Sequence, residues 1–475
     1  MPSHVCRIGF SFVVTLMLTL VGQLCAAEPA AATPDKVSYY RDVRPIFQDR
    51  CQGCHQPAKK GGGFVMTSMA DMLKGGESRE PGIVAGKPAD SQLIAYITAQ
   101  DGQPPEMPKG GDPLTKDQVE LIRRWIAEGA ADDTPASTRV AIDMDHPPVY
   151  TLPPVVTSLD FSPNGQLLAV SGYHEVLLHK ADGSGVVVRL VGLSERIESA
   201  VFSPDGKSLA VTGGSPGRFG EVQIWDVDNK KLKLSVPVTY DTIYGASWSH
   251  DGAKVAFGCA DNTVRAIDVK TGKQVLQQGA HTDWALDTVF STDSTHLVSV
   301  GRDRTMKLTE VATERFVDDI TSITPGALKG GLMAVDRHPK KDELLSGGAD
   351  GTPKLYKMYR TQDRRIGDDF NLLRAFEAMP GRIYDVTFNA DGTRIAAGAS
   401  NDGKGEVRIY ETETGKLLSK LADQGGPVFA VAYREDGKAI AVGGFDGVVR
   451  LFEPDTGKLL KSFVPVPITA SVAAK

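Results

Sequence analysis

Cysteine is scarce in this 475-residue chain: there are five, and Cys6 and Cys25 fall within the first 27 positions. Three remaining thiols cannot staple a chain of this length, so a disulfide-built scaffold is excluded. Basic residues are in no surplus either. Lys and Arg total 53 against 59 Asp and Glu, a formal charge of −6, which favours neither nucleic acid nor an anionic membrane surface as partner. Aromatics make up only 7%, and no second apolar run of membrane-spanning length follows the N-terminal one. With 41% hydrophobic and 24% charged residues, wholesale disorder is excluded. Glycine is the excess, at 50 residues without a collagen period, which points to many tight turns and a large all-β part.

Arg7 precedes the apolar stretch Phe10 to Val21, and Cys25-Ala26-Ala27 supplies small residues for cleavage. Residues 1–27 read as a secretory signal peptide, which predicts an exported, periplasmic or otherwise extracytoplasmic protein with no integral membrane span after removal. Cys51, Cys54 and Cys259 would then remain. Cys51-Gln52-Gly53-Cys54-His55 has the C-x-x-C-H spacing of covalent haem attachment. Two thiols add to the two haem vinyl groups, and the adjacent imidazole coordinates iron from the same short segment. A thioredoxin-like pair would want a βαβ context, and a zinc site would need two further ligands close by. Cys259, in the apolar run Val255 to Cys259, reads as a buried strand cysteine without chemistry.

Electron-transfer haem iron usually carries a second axial ligand. Met66, Met69 and Met72 fall at helical spacing, which marks core packing, whereas Met107 sits in the stiff loop Pro104-Pro105-Glu106-Met107-Pro108. Met107 is therefore the candidate distal ligand. A helix is predicted across Val43 to Cys51. A second opens at the capping box Thr115 to Gln118, lines one face with Val119, Leu121, Ile122, Trp125 and Ile126, and ends at Gly129.

Residues 39–131 resemble the planctomycete-type cytochrome c domain. The resemblance rests on Asp42 to Phe47, the CQGCH pentad, Gly61 to Phe64, Gly86-Lys87-Pro88 with Ser91-Gln92-Leu93, Met107-Pro108, and Pro113-Leu114-Thr115 leading to Trp125 through Ala130. It implies a small all-α domain over 36–131 holding one haem c on Cys51 and Cys54, with His55 proximal and Met107 distal to iron. The family's loop is commonly Met-Pro-Pro, whereas here two prolines precede Met107 and one follows.

A proline-punctuated linker is expected over 132–150, carrying few contacts between two self-sufficient domains. A repeat then begins. Its anchors are Phe161, Phe202, Trp248, Phe290, Arg337, Phe388 and Tyr433, most of them followed by a Ser-Pro-Asp-Gly-like turn, at steps of 41 to 51 residues. About four strands fit each period, the signature of a propeller blade. The pattern over 151–466, ahead of a tail at 467–475, resembles WD repeats and implies an all-β seven-bladed propeller. Only Trp225-Asp226 spells the dipeptide. Blade four has His281, Ser299 and Asp303 of the family's hydrogen-bonded set, with Thr309 where tryptophan is usual; Asp261, Asp350 and Asp446 occupy the matching turn and read as turn formers.

The expected function is that of an exported c-type cytochrome transferring electrons to a redox partner protein, with the propeller as platform for another protein or a ligand. The alternatives are a periplasmic oxidoreductase with its substrate site in the propeller, and a haem-based sensor. No residue is singled out as catalytic, because the remaining histidines are scattered without H-x-H or H-E-x-x-H spacing.

Overall fold

The computed structural model describes residues 36–56, 59–100, 102–109, 111–135, 142–324, 329–367 and 369–469. The leader at 1–27, with Cys6 and Cys25, lies outside the described residues, as does the middle of the linker. Val37–Lys475 form one compact unit.

The N-terminal module starts with a wide turn over Tyr39–Val43, where the Ser38 hydroxyl accepts the Arg41 N–H. Four short helices follow: α1 (Arg44–Arg50), α2 (Met69–Lys74), α3 (Gln92–Ile97) and α4 (Lys116–Ala127). Helix α4 has the anticipated capping box, with Thr115 and Gln118 exchanging side-chain-to-backbone bonds of 2.9 and 3.2 Å. Gly129 at φ +101° ends it. Ile122, Trp125 and Ile126 are buried with Phe47, Met66 and Met72 in a single cluster. The expectation of an all-α domain is corrected here. His55–Gln56 and Lys59–Lys60 pair as a small antiparallel ribbon, and long stretches between the helices are turns. The reason is local: Gly62 and Gly63 lie in left-handed backbone, and Pro81, Pro88, Pro104, Pro105, Pro108 and Pro113 withhold the N–H groups that longer helices would need.

Among the described residues from Leu159 onward, the strands pair as antiparallel sheet. Among the described residues, five of these sheets have four strands each and one has seven. Seven separate sheets were expected and six are present, because Val186–Phe202 runs unbroken for 17 residues and pairs on both sides. The sequence anchors Phe161, Phe202, Trp248, Phe290, Arg337, Phe388 and Tyr433 each end a strand. The turns after them have a common chemistry: Ser203 Oγ donates to Asp205 Oδ1 at 2.6 Å, and Ser249 to Asp251 likewise at 2.6 Å, with Gly206 and Gly252 in left-handed backbone. The ring closes on itself. Val156 N–H donates to the Gly444 carbonyl (2.9 Å), and Leu159 and Phe161 share a core with Ala430, Ala441 and Leu451.

Carboxylates clamp strands together, within the seven-stranded sheet at Asp160 and between successive sheets at Asp287, Asp336 and Asp385. Asp160 accepts the Phe202 N–H (2.7 Å), Asp287 that of Val335 (2.9 Å), Asp336 that of Phe388 (2.8 Å) and Asp385 that of Val431 (2.8 Å). Desolvation pushes Asp160 and Asp287 up to about 7, with repulsion from Asp336 adding to the shift. Asp385 rises well above the carboxylate range, again through desolvation first, with Asp287 and Asp336 contributing. A carboxyl raised in the folded state binds its proton there before the unfolded chain does. Stability from such a group is therefore greatest in acid and falls by roughly 1.4 kcal/mol per pH unit between about 4 and 7. The thermal midpoint is expected to drop as pH is raised from 5 to 7.5. In Asp287→Asn the slope should be shallower; an unchanged slope would mean that Asp287 is ionised throughout.

Candidate functional site

The Cys51–His55 segment is one tight turn at the end of α1, with Cys54 N–H and His55 N–H both donating to the Cys51 carbonyl (3.1 and 3.0 Å). Cys51 borders the module's core beside Phe64, Met69 and Met107, and desolvation pushes its thiol up to about 12. Cys54 is exposed, and neither forms a disulfide. His55 Nδ1 lies 3.2 Å from the Phe64 carbonyl oxygen. A carbonyl only accepts, so this contact puts the ring proton on Nδ1 and the lone pair on Nε2, the arrangement a metal-binding imidazole needs. A Cβ at Gly61 would stand 3.3 Å from His55 Cε1, so the glycine turn packs directly on the ring. Met107 is half-buried, and its N–H donates to the Tyr96 carbonyl (3.0 Å). Met66 and Met72 are fully buried core residues. The donor set therefore suits a thioether-linked haem: two thiols in one turn, one facing solvent and one bordering apolar side chains, followed by an oriented imidazole. Among the described residues, no group of three or more His, Cys, Asp or Glu is placed to hold a metal ion.

The pentad is seated on the propeller. A Cβ at Gly53 would come 2.7 Å from the Ser235 carbonyl oxygen and 3.2 Å from Pro237 Cδ, so only glycine lets the two backbones approach this closely. Helix α1 and the Lys59–Lys60 strand lie against the same strand, Lys231–Thr239. The two halves therefore share a seam where few contacts were expected. Gly53→Val should cost about 1–3 kcal/mol by overpacking and speed amide exchange along Lys231–Thr239. Exchange as slow as in the wild type would show that the seam contributes nothing to that strand.

Behind the seam runs a polar chain that sequence reading missed. Glu221, 1% exposed, accepts from Ser194 Oγ (2.7 Å), Gln223 Nε2 (2.8 Å) and Ser235 Oγ; Trp225 Nε1 donates to Gln223 Oε1 (2.9 Å). The signal lay in the alternation Glu221, Gln223, Trp225, which places all three on one face of a strand. A cavity of about 610 Å³ opens between this face and the pentad. His146 and His174 both line it, although nothing in their spacing links them.

In blade four His281 Nδ1 meets Asp303 Oδ2 at 3.0 Å and His281 Nε2 meets Ser299 Oγ at 2.8 Å. Asp261, Asp350 and Asp446 accept the N–H two residues on, at 3.1, 3.0 and 3.1 Å, which is turn formation. Cys259 is fully buried in a strand, with desolvation holding its thiol up at about 12.

Repeated antiparallel sheets closed into a ring, with this turn chemistry, define a WD-repeat β-propeller, and residues 147–178 match the WD domain, G-beta repeat. Residues 192–474 match the Nucleolar protein 10-like, N-terminal domain, and the chain belongs to that family. Residues 51–111 match Planctomycete cytochrome C. Among similar proteins, eukaryotic translation initiation factor 3 subunit I of Aspergillus terreus is 26% identical over 306 residues, 62% of this chain and 76% of that protein. The Emericella nidulans protein of the same name is 25% identical over 304 residues, with the same shares of each chain covered. The Arabidopsis thaliana WD repeat-containing protein 26 homolog is 24% identical over 281 residues, 58% of this chain and 44% of that protein.

These relatives overturn the expected function. They are WD-repeat proteins and translation-factor subunits, and they point to a WD-repeat scaffold in place of an exported electron-transfer cytochrome. The periplasmic or extracytoplasmic location is corrected on the same ground, since the similar proteins carry the name of a translation factor. No redox partner finds support among them. No helix among the described residues is long and apolar enough to cross a membrane.

Proposed function

We propose that this protein is a WD-repeat scaffold that holds a protein partner on the loop rim of its propeller. The family match over 192–474 carries this reading. In a four-stranded antiparallel meander the loops before the first strand and between the second and third lie at the same end of the sheet. Tyr240 is in a loop of the first kind and Phe445 in one of the second, and they are 79% and 62% exposed. Large apolar side chains held in water at one end of a propeller suit a partner surface. The seven-stranded sheet counts as two blades that share Val186–Phe202, so seven blades form the ring.

The N-terminal module is proposed to carry one haem c, on Cys51 and Cys54 with His55 as iron ligand and Met107 as the second. The match to Planctomycete cytochrome C and the Phe64-oriented imidazole support this. When bound, the group supplies a redox-active iron; the chain's own residues fix it covalently and orient the ligand ring. Two experiments test the pair of readings. A photo-crosslinking residue at Tyr240 or Phe445 should capture one discrete protein, whereas the same residue at Lys270, at the opposite end of the sheets, should not. Equal capture from both ends would sink the rim assignment. Haem staining that survives denaturing electrophoresis should disappear in Cys51→Ala/Cys54→Ala, and persistent staining would exclude the pentad.

A further inference from the structure

The seam cavity has a chemistry of its own. Its volume of about 610 Å³ is in the range of sites for small organic molecules. Five carboxylates line it, Asp71, Asp132, Asp143, Glu195 and Glu221, against the two guanidinium groups of Arg44 and Arg218. Glu195 is paired with Arg218 at 3.4 Å, and Asp143 with His146 at 3.0 Å. Glu221 differs from both. It is almost completely buried, yet its hydrogen-bond donors are a serine, a glutamine and a second serine, all neutral; among the described residues no cation stands within ion-pair distance. Three donors leave a carboxylate with one lone-pair direction unused. A buried carboxylate with no cationic partner is costly to hold in its charged form, and a cation entering beside it recovers that cost.

A second group is aimed at the same space. His174 lines the cavity, and its Nδ1 is buried with no hydrogen-bond partner among the described residues. Desolvation lowers the His174 pKa, opposed by Glu195 and by the Gly192 and Leu193 backbone, and Nδ1 is an acceptor when the proton sits on Nε2. Met69, Leu193, Phe219 and Pro237 supply apolar wall. The cavity thus offers a carboxylate and an imidazole acceptor to a donor-rich cation, and hydrocarbon to whatever carries it.

We propose that the seam between the N-terminal module and the propeller is a binding site for a small organic cation, an ammonium or guanidinium group on an apolar body, recognised by Glu221 and His174. Such a ligand touches residues of both halves, Met69 on one side and Phe219 on the other. Its binding would therefore stabilise the seam by the linkage that any ligand of the folded state provides.

Benzylamine and benzyl alcohol are the probes, matched in shape and differing in charge, titrated calorimetrically into the full chain at pH 7. The amine is expected to bind at least tenfold more tightly than the alcohol. Glu221→Gln, which keeps an acceptor but removes the charge, should bring the two affinities to within about twofold of each other. Leu193→Trp fills the cavity from its wall while keeping Glu221 and all three of its donor residues, and should abolish binding of the amine. It carries the same test should Glu221→Gln not fold. Equal affinities in the wild type, an unchanged ratio in Glu221→Gln, or amine binding that survives Leu193→Trp would each overturn the proposal.

Discussion

Trp125→Ala is expected to unfold the N-terminal module while the propeller stays folded. Trp125 is 1% exposed, stacks on Tyr39 at 5.3 Å, meets Phe47 edge-on at 6.1 Å, and donates from Nε1 to the Ala131 carbonyl at 3.0 Å. Truncating a buried tryptophan costs about 3–5 kcal/mol, and here the loss falls on one small cluster. Every buried member of that cluster lies between Val37 and Ala130, whereas the propeller sheets have clusters of their own. The unit that opens should be the module. Amide exchange reads the outcome: protection should fall in α1 and α4 and persist in strands such as Lys254–Cys259. Equal loss in both would mean that the seam makes the halves a single cooperative core.

His281→Ala should destabilise the propeller by about 1–3 kcal/mol, the usual cost of leaving a buried acceptor without its donor, and by more because that acceptor is a carboxylate. The His281 and Asp303 side chains are 1% and 3% exposed. Burial by itself raises the Asp303 pKa, but the hydrogen bond and charge of His281, with help from the Thr282 N–H and the Thr305 hydroxyl, outweigh it and hold Asp303 at about 2. A carboxylate with a lowered folded pKa stabilises fully above its unfolded value and loses that contribution as pH falls from about 4 towards 2. The pair's contribution should fade over that window, by roughly 2–3 kcal/mol. In His281→Ala/Asp303→Ala the deficit should be smaller than in His281→Ala, because no charge is left stranded. Urea titration at pH 7 and pH 3 measures both effects. A double variant less stable than the sum of the single ones would contradict the stranded-charge account.

The Asp303 window lies well below that of Asp160 and Asp287, so the two sets act on opposite sides of pH 4. Between pH 4 and 7 the clamping carboxylates govern the slope, and stability declines as pH rises. Below pH 4 the His281-paired Asp303 governs it, and stability declines as pH falls. The physical difference is the partner. Asp303 faces an imidazole and several donors, whereas Asp287 faces backbone amides and other carboxylates.

Features set by neighbours a few residues apart were legible in the sequence alone. The Thr115–Gln118 box, the Ser-Pro-Asp-Gly turns, the Asp261, Asp350 and Asp446 turns, and the strand endings at Phe161 through Tyr433 all depend on short-range hydrogen bonds and on alternation, and each recurs in the structure. The tertiary structure decided what depends on residues far apart in the chain. Gly53 reads as a spacer until Ser235 and Pro237 are brought against it across some 180 residues. Glu221 reads as an ordinary strand carboxylate until Ser194 and Ser235 close over it. Nor does composition show that one strand, Val186–Phe202, continues through what the repeat counts as two blades, because pairing partners and not propensity decide where a strand ends. Local rules determine elements and turns; only the packed molecule determines which backbones lie close enough to exclude a side chain, and which charges are left without a counterpart.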